Sequence, residues 1–503
     1  MSHDKKKVEE YRKLFTADDW SVDTLRAADE VTKKIAEEEL GITTYTNQIE
    51  VVNSEQLLDA MSLIGLPISY PHWSFGKSFV GSANRYLKGK MGLSYEMVIN
   101  SNPCVSYNLE TNTTTMMVLV IAHACQGHNS FFKNNYLFKE WTNADAIVDY
   151  MTFAKNYILK CEELYGPEEV EEVLDACHSL MDLGVDKYKK PPRKTMQSEA
   201  LRLQKRLEAE EEDYDELWDT LPIKEKKKKK RNTNSFEPQE NILYYIEKNA
   251  PKLEKWKKEL IRIVRKVAQY FYPQGQTKMI NEGWATFTHY YIVNRMHELG
   301  YVDDGFMLEF MDNHTKVIYQ PSYKQAGPYF NPYTLGFNIF MDIKRICENP
   351  TEEDKEWFPN LIGKDWVKEV NWAYKNFRDE SFIRQYLSPK VIRDMQMFSI
   401  VDSEESRYYK VDAIHNERGY KKIRKALADS YLRDNRVPNI QITRIAEYSN
   451  REMVLTHYVK DGVMLDENSA KQTLDYVHYL WGFPVYLYDV YEDGERDLGW
   501  KVE

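Results

Sequence analysis

A cluster of residues that bind metals or transfer protons follows a long apolar stretch in the first third of the chain. The run from Met116 to Ala124 is apolar enough to be buried on all sides, and it leads into His123, Cys125, Gln126 and His128. Imidazoles at the end of a buried element are candidate metal ligands or proton-transfer groups. The stretch therefore predicts a site for metal-dependent or acid–base chemistry.

The spacing of the two histidines differs from that of the zinc-peptidase motif H-E-x-x-H. In that motif the histidines are four apart and share one face of a helix. His123 and His128 are five apart, which separates them by roughly 140° on a regular α-helix. Both can face one ion only if the helix bulges or ends between them. Gly127 favours such a bulge because glycine weakens a helix and π-bulges cluster at functional sites. The alternative is two core histidines bonded to backbone carbonyls.

A second predicted helix, farther along the chain, carries a carboxylate among small residues. Within Ile280 to Tyr291, helical spacing aligns Glu282, Ala285, Thr286 and His289 on one face. Small side chains beside a carboxylate leave room for an ion, so Glu282 is the predicted third ligand. The segment is similar to a helix of several zinc peptidase families that begins Glu-Gly-Trp-Ala and supplies the third ligand opposite H-E-x-x-H.

Five further residues are candidates for roles around such an ion. Glu96, on a predicted short strand, and His289 are candidates for assisting water, and Tyr333 is a candidate donor to a developing oxyanion. His178, at the edge of an apolar helix face, is a further candidate metal ligand. Cys125 is alternatively a thiolate nucleophile activated by the histidine three residues later. Glu96, Tyr333 and His178 also have structural interpretations, as an exposed strand glutamate, a packed tyrosine and a core histidine.

The composition excludes several classes of protein. The chain has 503 residues, of which 42% are hydrophobic and 13% aromatic, and this is enough for a large buried core. A net charge of -11 argues against general nucleic-acid binding. No segment reaches the roughly 18 apolar residues of a membrane span, and the charged N-terminal stretch lacks the apolar region of a signal peptide. With five scattered cysteines and no C-x-x-C pair, a cytoplasmic location with reduced thiols is expected.

The periodicity of apolar residues predicts a mainly α-helical protein in two parts. A multi-helix body with short β elements is expected over about residues 1–398, followed by a small α+β domain at about 400–503. Residues 193–240 alternate acidic and basic blocks and contain the basic run from Lys226 to Arg231. They predict a solvated insertion or linker, with binding to an acidic partner as the alternative. The C-terminal domain has no ligand-like cluster, which indicates docking or oligomer contact.

Five segments together resemble the stage V sporulation protein R (SpoVR) family over nearly the whole chain. They are HACQGHNSFFKNNYLF (123–138), LDACHSLMDLGVDKYKKP (174–191), INEGWATF (280–287), NPYTLGF (331–337) and DESFIRQYLSPKVIRD (379–394). The resemblance implies a cytoplasmic bacterial protein linked to spore cortex formation in spore formers, or to stress response. In many non-sporulating bacteria the family is associated with a PrkA-type serine kinase and a von Willebrand factor A-type protein, so these two partners are implied as well.

Two functions from different classes follow from these observations. The first is a metal-dependent hydrolase acting on an amide bond, with zinc as the expected ion and His123, His128 and Glu282 as its ligands. The second is a non-catalytic regulatory or assembly component that works with the kinase and the von Willebrand factor A-type protein. Metal content separates the two, because only the first requires a bound ion.

Overall fold

The computed structural model describes residues 5–62, 66, 68–87, 96–187, 238–322, 325, 327, 329–401, 408, 410–432, 437–446 and 450–503. Within these residues helices dominate and strands are short, which confirms the predicted mainly α-helical class with an α+β region at the C-terminus. The predicted charged linker, with the run from Lys226 to Arg231, falls almost entirely outside the described residues. Among the described helices, none is both long enough and apolar enough to cross a membrane.

The elements follow one another along the chain in three stretches. The first stretch mixes helices and strands: α1 (Lys5–Phe15), α2 (Val22–Leu40), β1 (Asn47–Val52), α3 (Ser54–Ser62), α4 (Trp73–Leu87), β2 (Glu96–Ile99), β3 (Cys104–Leu109), α5 (Thr114–Ile121), a π-helix (Ala122–His128), α6 (Asn129–Asn134), α7 (Tyr136–Trp141), α8 (Ile147–Tyr165) and α9 (Pro167–Ser179).

The second stretch is helical: a 3-10 turn (Met181–Leu183), α10 (Ile242–Asn249), α11 (Lys255–Gln276), α12 (Lys278–Glu298), α13 (Asp304–Val317), α14 (Pro332–Glu348), α15 (Glu352–Trp357), α16 (Trp366–Asn376), α17 (Asp379–Tyr386) and α18 (Pro389–Asp394). The third stretch is mixed: β4 (Ser399–Val401), β5 (Lys410–Ala413), α19 (Glu417–Tyr431), β6 (Ile440–Ile445), β7 (Met453–Tyr458), α20 (Glu467–Trp481), β8 (Val485–Val490) and β9 (Arg496–Val502).

Helix α12 is the central element of the body. Buried residues lie along almost its whole length, from Met279 at its start to Met296 near its end. A helix that is covered on nearly all faces needs small residues where its neighbours come closest. At Gly283 an added Cβ would lie 2.4 Å from the Cα of Gly336 in α14. The two helices therefore touch backbone to backbone, and neither glycine can carry a side chain.

The N-terminus of α12 is held by a carboxylate from a distant part of the chain. Asp379, the first residue of α17, accepts the backbone N–H of Met279 at 3.1 Å and that of Ile280 at 2.8 Å. These N–H groups have no partner inside the helix, and a negative charge is favourable at this end of it. The contact fixes the first turn of α12, which carries Glu282.

A three-stranded sheet places a second carboxylate beside the π-helix. β3 is the central strand, with β1 parallel to it on one side and β2 antiparallel to it on the other. Glu96 is the first residue of β2, opposite Asn108 of β3, so its predicted position on a short strand is confirmed. β2 packs against the π-helix, and Glu96 therefore reaches the histidines.

The C-terminal sheet has the order β6-β7-β8-β9, and α20 connects the parallel strands β7 and β8. The predicted pairing of β6 with β7 is observed, whereas β9 was not anticipated. Within residues 410–431, Ala413, Tyr420, Ile423 and Ala428 pack into the core that contains α12. The four-stranded sheet begins with β6, and the predicted domain boundary at about residue 400 stays a prediction.

Candidate metal centre

The π-helix brings the two histidines of the apolar stretch together. It continues α5 without a break from Ala122 to His128. Its hydrogen bonds run between residues five apart, so residues with that spacing share a face. The rings of His123 and His128 accordingly lie 4.7 Å apart between centroids, with an angle of 84° between their planes. The bulge that the five-residue spacing requires is present.

Gly127 explains how the π-helix comes close enough to α12. A Cβ added at Gly127 would lie 2.6 Å from the Cα of Ala285 and 2.8 Å from its Cβ. On the other side, Gln126 donates to the hydroxyl of Thr32 at 3.3 Å, and Asn129 donates to the carbonyl of Tyr45 at 2.9 Å. The polar residues around the two histidines thus anchor the segment to α2 and to the chain before β1, while glycine lets its other face meet α12.

Two carboxylates face the two imidazoles. Glu282 Oε2 lies 3.4 Å from His128 Nε2 and 3.9 Å from His123 Nε2. Glu96 Oε1 lies 3.5 Å from His123 Nε2. One ligand atom from each of Glu96, His123 and His128 falls within 4.8 Å of the other two. The four side chains are at most 18% exposed. They form one largely buried group of nitrogen and oxygen atoms that could bind a metal ion.

The arrangement leaves a buried oxygen without a donor. Among the described residues, no well-aligned hydrogen bond reaches Glu282 Oε2, although the Nε2 atoms of His128 and His123 lie 3.4 Å and 3.9 Å from it. A buried carboxylate oxygen in this state is unfavourable unless a cation or a donor meets it. Two imidazole nitrogens and one carboxylate oxygen are also the ligand set of many zinc enzymes. His123, His128 and Glu282 therefore fit a divalent ion.

The two carboxyl groups have opposite proton affinities. Burial alone would raise the pKa of Glu282, but the imidazoles of His128 and His123 outweigh it and hold this pKa below its ordinary value. Burial raises the pKa of Glu96, and the same imidazoles offset it only in part. For His128, burial acts to lower the pKa, yet the Glu282 carboxylate leaves it raised. One carboxylate is thus a permanent anion suited to binding a cation, and the other is suited to accepting a proton.

Hydrogen bonds behind the two rings fix their orientation. His128 Nδ1 lies 3.0 Å from Asn281 Oδ1, and because an amide oxygen only accepts, the Nδ1 atom carries the proton. His123 Nδ1 lies 2.8 Å from His289 Nδ1, and His289 Nε2 lies 2.9 Å from His314 Nδ1. Partners of this kind, behind the ring, are typical of histidines that bind metals. Both Nε2 atoms point to the carboxylates.

One cavity of about 960 Å³ collects most of the predicted site residues. Its lining includes Glu96, His123, His128, Glu282, His289 and Tyr333. His289 is fully buried, and burial followed by the imidazoles of His123 and His314 lowers its pKa well below the ordinary value. Its contacts favour a role as hydrogen-bond partner of His123 over the predicted role in assisting water.

Cys125 and His178 do not line this cavity. Burial, and then the charge of Asp29, raises the pKa of the Cys125 thiol well above its ordinary value. The thiolate form that a nucleophile requires is therefore disfavoured. The Nε2 atom of His178 lies 2.7 Å from the hydroxyl of Tyr70, and its ring stacks on that of His72 at 4.1 Å. The face of α9 that carries His178 packs against the chain around α4, away from the two carboxylates.

Two residues of the site escaped the sequence interpretation. Asn281 precedes Glu282 directly, and a helical wheel places it off the face that carries Glu282 and His289. His314 lies on α13 and reaches the centre only through His289. Nothing in the pattern around His314 marks it, since a single histidine in an amphipathic helix is common.

The rest of the cavity has an apolar wall and a polar, exposed rim. The wall includes Met97, Met116, Leu119, Phe132 and Phe271, and the exposed lining residues are Gly275, Lys278, Lys316, Tyr319 and Tyr329. A cleft with a few converging polar groups at its base and apolar walls is the usual form of a small-molecule site.

The chain is similar over most of its length to one protein family. The family described as SpoVR like protein matches residues 19–436, and the SpoVR-like C-terminal domain matches residues 438–492. The division between the two falls where the C-terminal sheet begins. The uncharacterized protein YcgB of Escherichia coli (strain K12) is 51% identical over 462 residues, which cover 91% of this chain and 90% of that protein. No solved structure matches the chain significantly.

Proposed function

This chain belongs to the SpoVR family, and we propose that it is a divalent-metal-dependent hydrolase that acts on an amide bond. One observation carries the proposal: the buried Oε2 atom of Glu282 faces the Nε2 atoms of His123 and His128 without a well-aligned hydrogen bond to either. These three residues would hold the ion, and zinc is the first expectation for such a ligand set. An ion held there supplies a Lewis acid that polarises a carbonyl and acidifies water.

Glu96 and Tyr333 have the properties that the proton transfers require. Glu96 takes a proton from water as the water oxygen bonds to the carbonyl carbon, and it returns this proton to the nitrogen when the C–N bond breaks. Its raised pKa suits both steps, because a base that is too weak cannot take the proton. Burial, and then the nearby Glu282 carboxylate, raises the pKa of Tyr333, so its hydroxyl stays protonated and donates to the developing oxyanion.

The first test measures metal content. Protein purified without a histidine tag is offered zinc, manganese and iron(II) separately, and the bound metal is measured by elemental analysis. We expect one zinc ion per chain, and none in His128→Ala. The matched control is His178→Ala, which removes a half-buried histidine outside the site and should keep the ion. Because the same ligand set also occurs in non-haem iron(II) centres, binding of iron alone would contradict the hydrolase.

The second test separates the two carboxylates. Glu96→Gln should keep the ion and stop release of amine from a panel of N-acyl amino acids and short peptides, because it removes the base. Glu282→Gln should lose the ion, because it removes the charge that faces both imidazoles. Zinc-loaded wild-type protein that releases no amine from any member of the panel would count against the amide substrate. If Glu96→Gln lost the ion and Glu282→Gln kept it, Glu96 would be the ligand and Glu282 the base.

The same experiments address the regulatory alternative. A non-catalytic component that works with a PrkA-type serine kinase and a von Willebrand factor A-type protein needs no ion. Wild-type protein that binds none of the three metals would favour this alternative and exclude the hydrolase. The two partners, a role in spore cortex formation or stress response, and a cytoplasmic location are inferences from the family and belong to this proposal.

A further inference from the structure

We propose that His289 and His314 are positioning residues that fix the proton of His123 on its Nδ1 atom and so keep its Nε2 atom free to bind the ion. The inference rests on the metal centre proposed above. It assigns a role to a residue on α13 that does not touch the ligands, and it concerns the binding step and not the chemistry that follows.

The three histidines form one continuous chain of ring-to-ring hydrogen bonds. His123 Nδ1 and His289 Nδ1 are 2.8 Å apart, and His289 Nε2 and His314 Nδ1 are 2.9 Å apart. The residues are 3%, 0% and 2% exposed, so bulk solvent does not provide alternative partners. In a buried place each polar nitrogen must find its partner within the protein.

Such a chain of neutral rings has only two arrangements of protons. A neutral imidazole has one N–H donor and one bare acceptor nitrogen, so each ring-to-ring bond holds one proton. In the outward arrangement, His123 donates to His289 and His289 donates to His314, which leaves His123 Nε2 bare. In the inward arrangement every proton is reversed, and His123 carries its proton on Nε2. Only the outward arrangement lets His123 bind a cation through Nε2.

His314 is the end of the chain farthest from the carboxylates. Its ring lies among aromatic rings, with centroids 5.6 Å from Phe310, 5.2 Å from Phe337 and 5.0 Å from Tyr290. This packing holds the ring with Nδ1 directed at His289. With His314 in place, the outward arrangement makes both ring-to-ring hydrogen bonds, and without it the N–H of His289 Nε2 has no acceptor in this arrangement.

The test compares two substitutions at position 314 by zinc affinity, measured in competition with a chromogenic chelator. His314→Phe fits the aromatic surroundings but accepts no hydrogen bond, so the inward arrangement becomes favourable and zinc should bind about tenfold more weakly. His314→Gln keeps an acceptor oxygen and should restore most of the affinity. A role in packing alone predicts the opposite order, because phenylalanine replaces the ring and glutamine does not.

A control and a spectroscopic measurement complete the test. His178→Phe removes a half-buried histidine elsewhere and should leave zinc affinity unchanged, and thermal unfolding shows whether each variant is folded. Nitrogen-15 NMR of the zinc-loaded protein should show His289 and His314 protonated on Nε2 and His123 on Nδ1. Protonation of His289 or His314 on Nδ1, or equal zinc affinity in wild type and His314→Phe, would overturn this inference and leave the metal centre standing. Wild-type protein that binds none of zinc, manganese and iron(II) would overturn the metal centre and this inference together.

Discussion

Replacing Gly127 with alanine should weaken metal binding far more than it weakens the fold. Gly127 is the point where the π-helix meets α12, and an added Cβ would lie 2.6 Å from the Cα of Ala285. Ordinary contact begins near 3.4 Å, so the two helices must separate by roughly 0.8 Å at this point. His128 follows Gly127 directly and Glu282 lies one turn before Ala285, so the separation falls between the ligands.

The two consequences differ in size. Overpacking a core costs about 1–3 kcal/mol, and alanine recovers about 1 kcal/mol relative to glycine in a helix, so a net loss of about 0–2 kcal/mol in unfolding free energy is expected. Metal ligands, in contrast, must keep their distances within about 0.2 Å. A displacement several times larger should reduce zinc affinity at least about tenfold, or about 1.4 kcal/mol.

The assay combines chelator competition for zinc with urea unfolding. The matched control is Gly76→Ala, since Gly76 also lies inside a helix but has nothing within 4 Å of an added Cβ. This control should gain about 0.5–1 kcal/mol of stability and keep its zinc affinity. If Gly127→Ala loses stability as expected but binds zinc as tightly as wild type, the contact between the π-helix and α12 does not set the ligand geometry.

Three further outcomes are expected. Zinc affinity should fall as the pH drops through the raised pKa of His128, because proton and ion compete for its Nε2 atom; titrations from about pH 5.5 to about pH 8 measure this, and a flat profile would contradict it. Burial raises the pKa of Asp379 to about 7, above the pKa of this group in the unfolded chain. The contribution of Asp379 to the free energy of unfolding is therefore full below the unfolded pKa, and it is lost as the pH rises through about 7. Urea unfolding should show a free energy of unfolding that is up to about 2 kcal/mol lower at about pH 8 than at about pH 5, and Asp379→Asn should remove this difference. The same difference in the variant would mean that other groups cause it. Tyr333→Phe should keep zinc and lower kcat about 100-fold, and an unaltered kcat would exclude the oxyanion role.

The sequence alone determined the class of fold and the segments in which to look for a site. Helical periodicity and paired strand patterns predicted a mainly helical body and the β6–β7 hairpin, because these signals are local. The five-residue spacing of His123 and His128, with Gly127 between them, indicated the bulge that the π-helix supplies. Small residues around Glu282 predicted room for an ion, and one of them, Ala285, is the residue that Gly127 approaches in the structure.

Only the tertiary structure decided which of the candidate residues meet. His178 and His314 are both single histidines at an apolar helix face, yet one packs on His72 and the other completes a chain to His123. Similarly, residues 410–431 pack with the body because apolar side chains such as Tyr420 and Ile423 face the core that contains α12, a contact that their own pattern does not specify. The physical reason is that a local pattern determines which face of a helix is buried, whereas the partner of that face depends on segments far away in the chain.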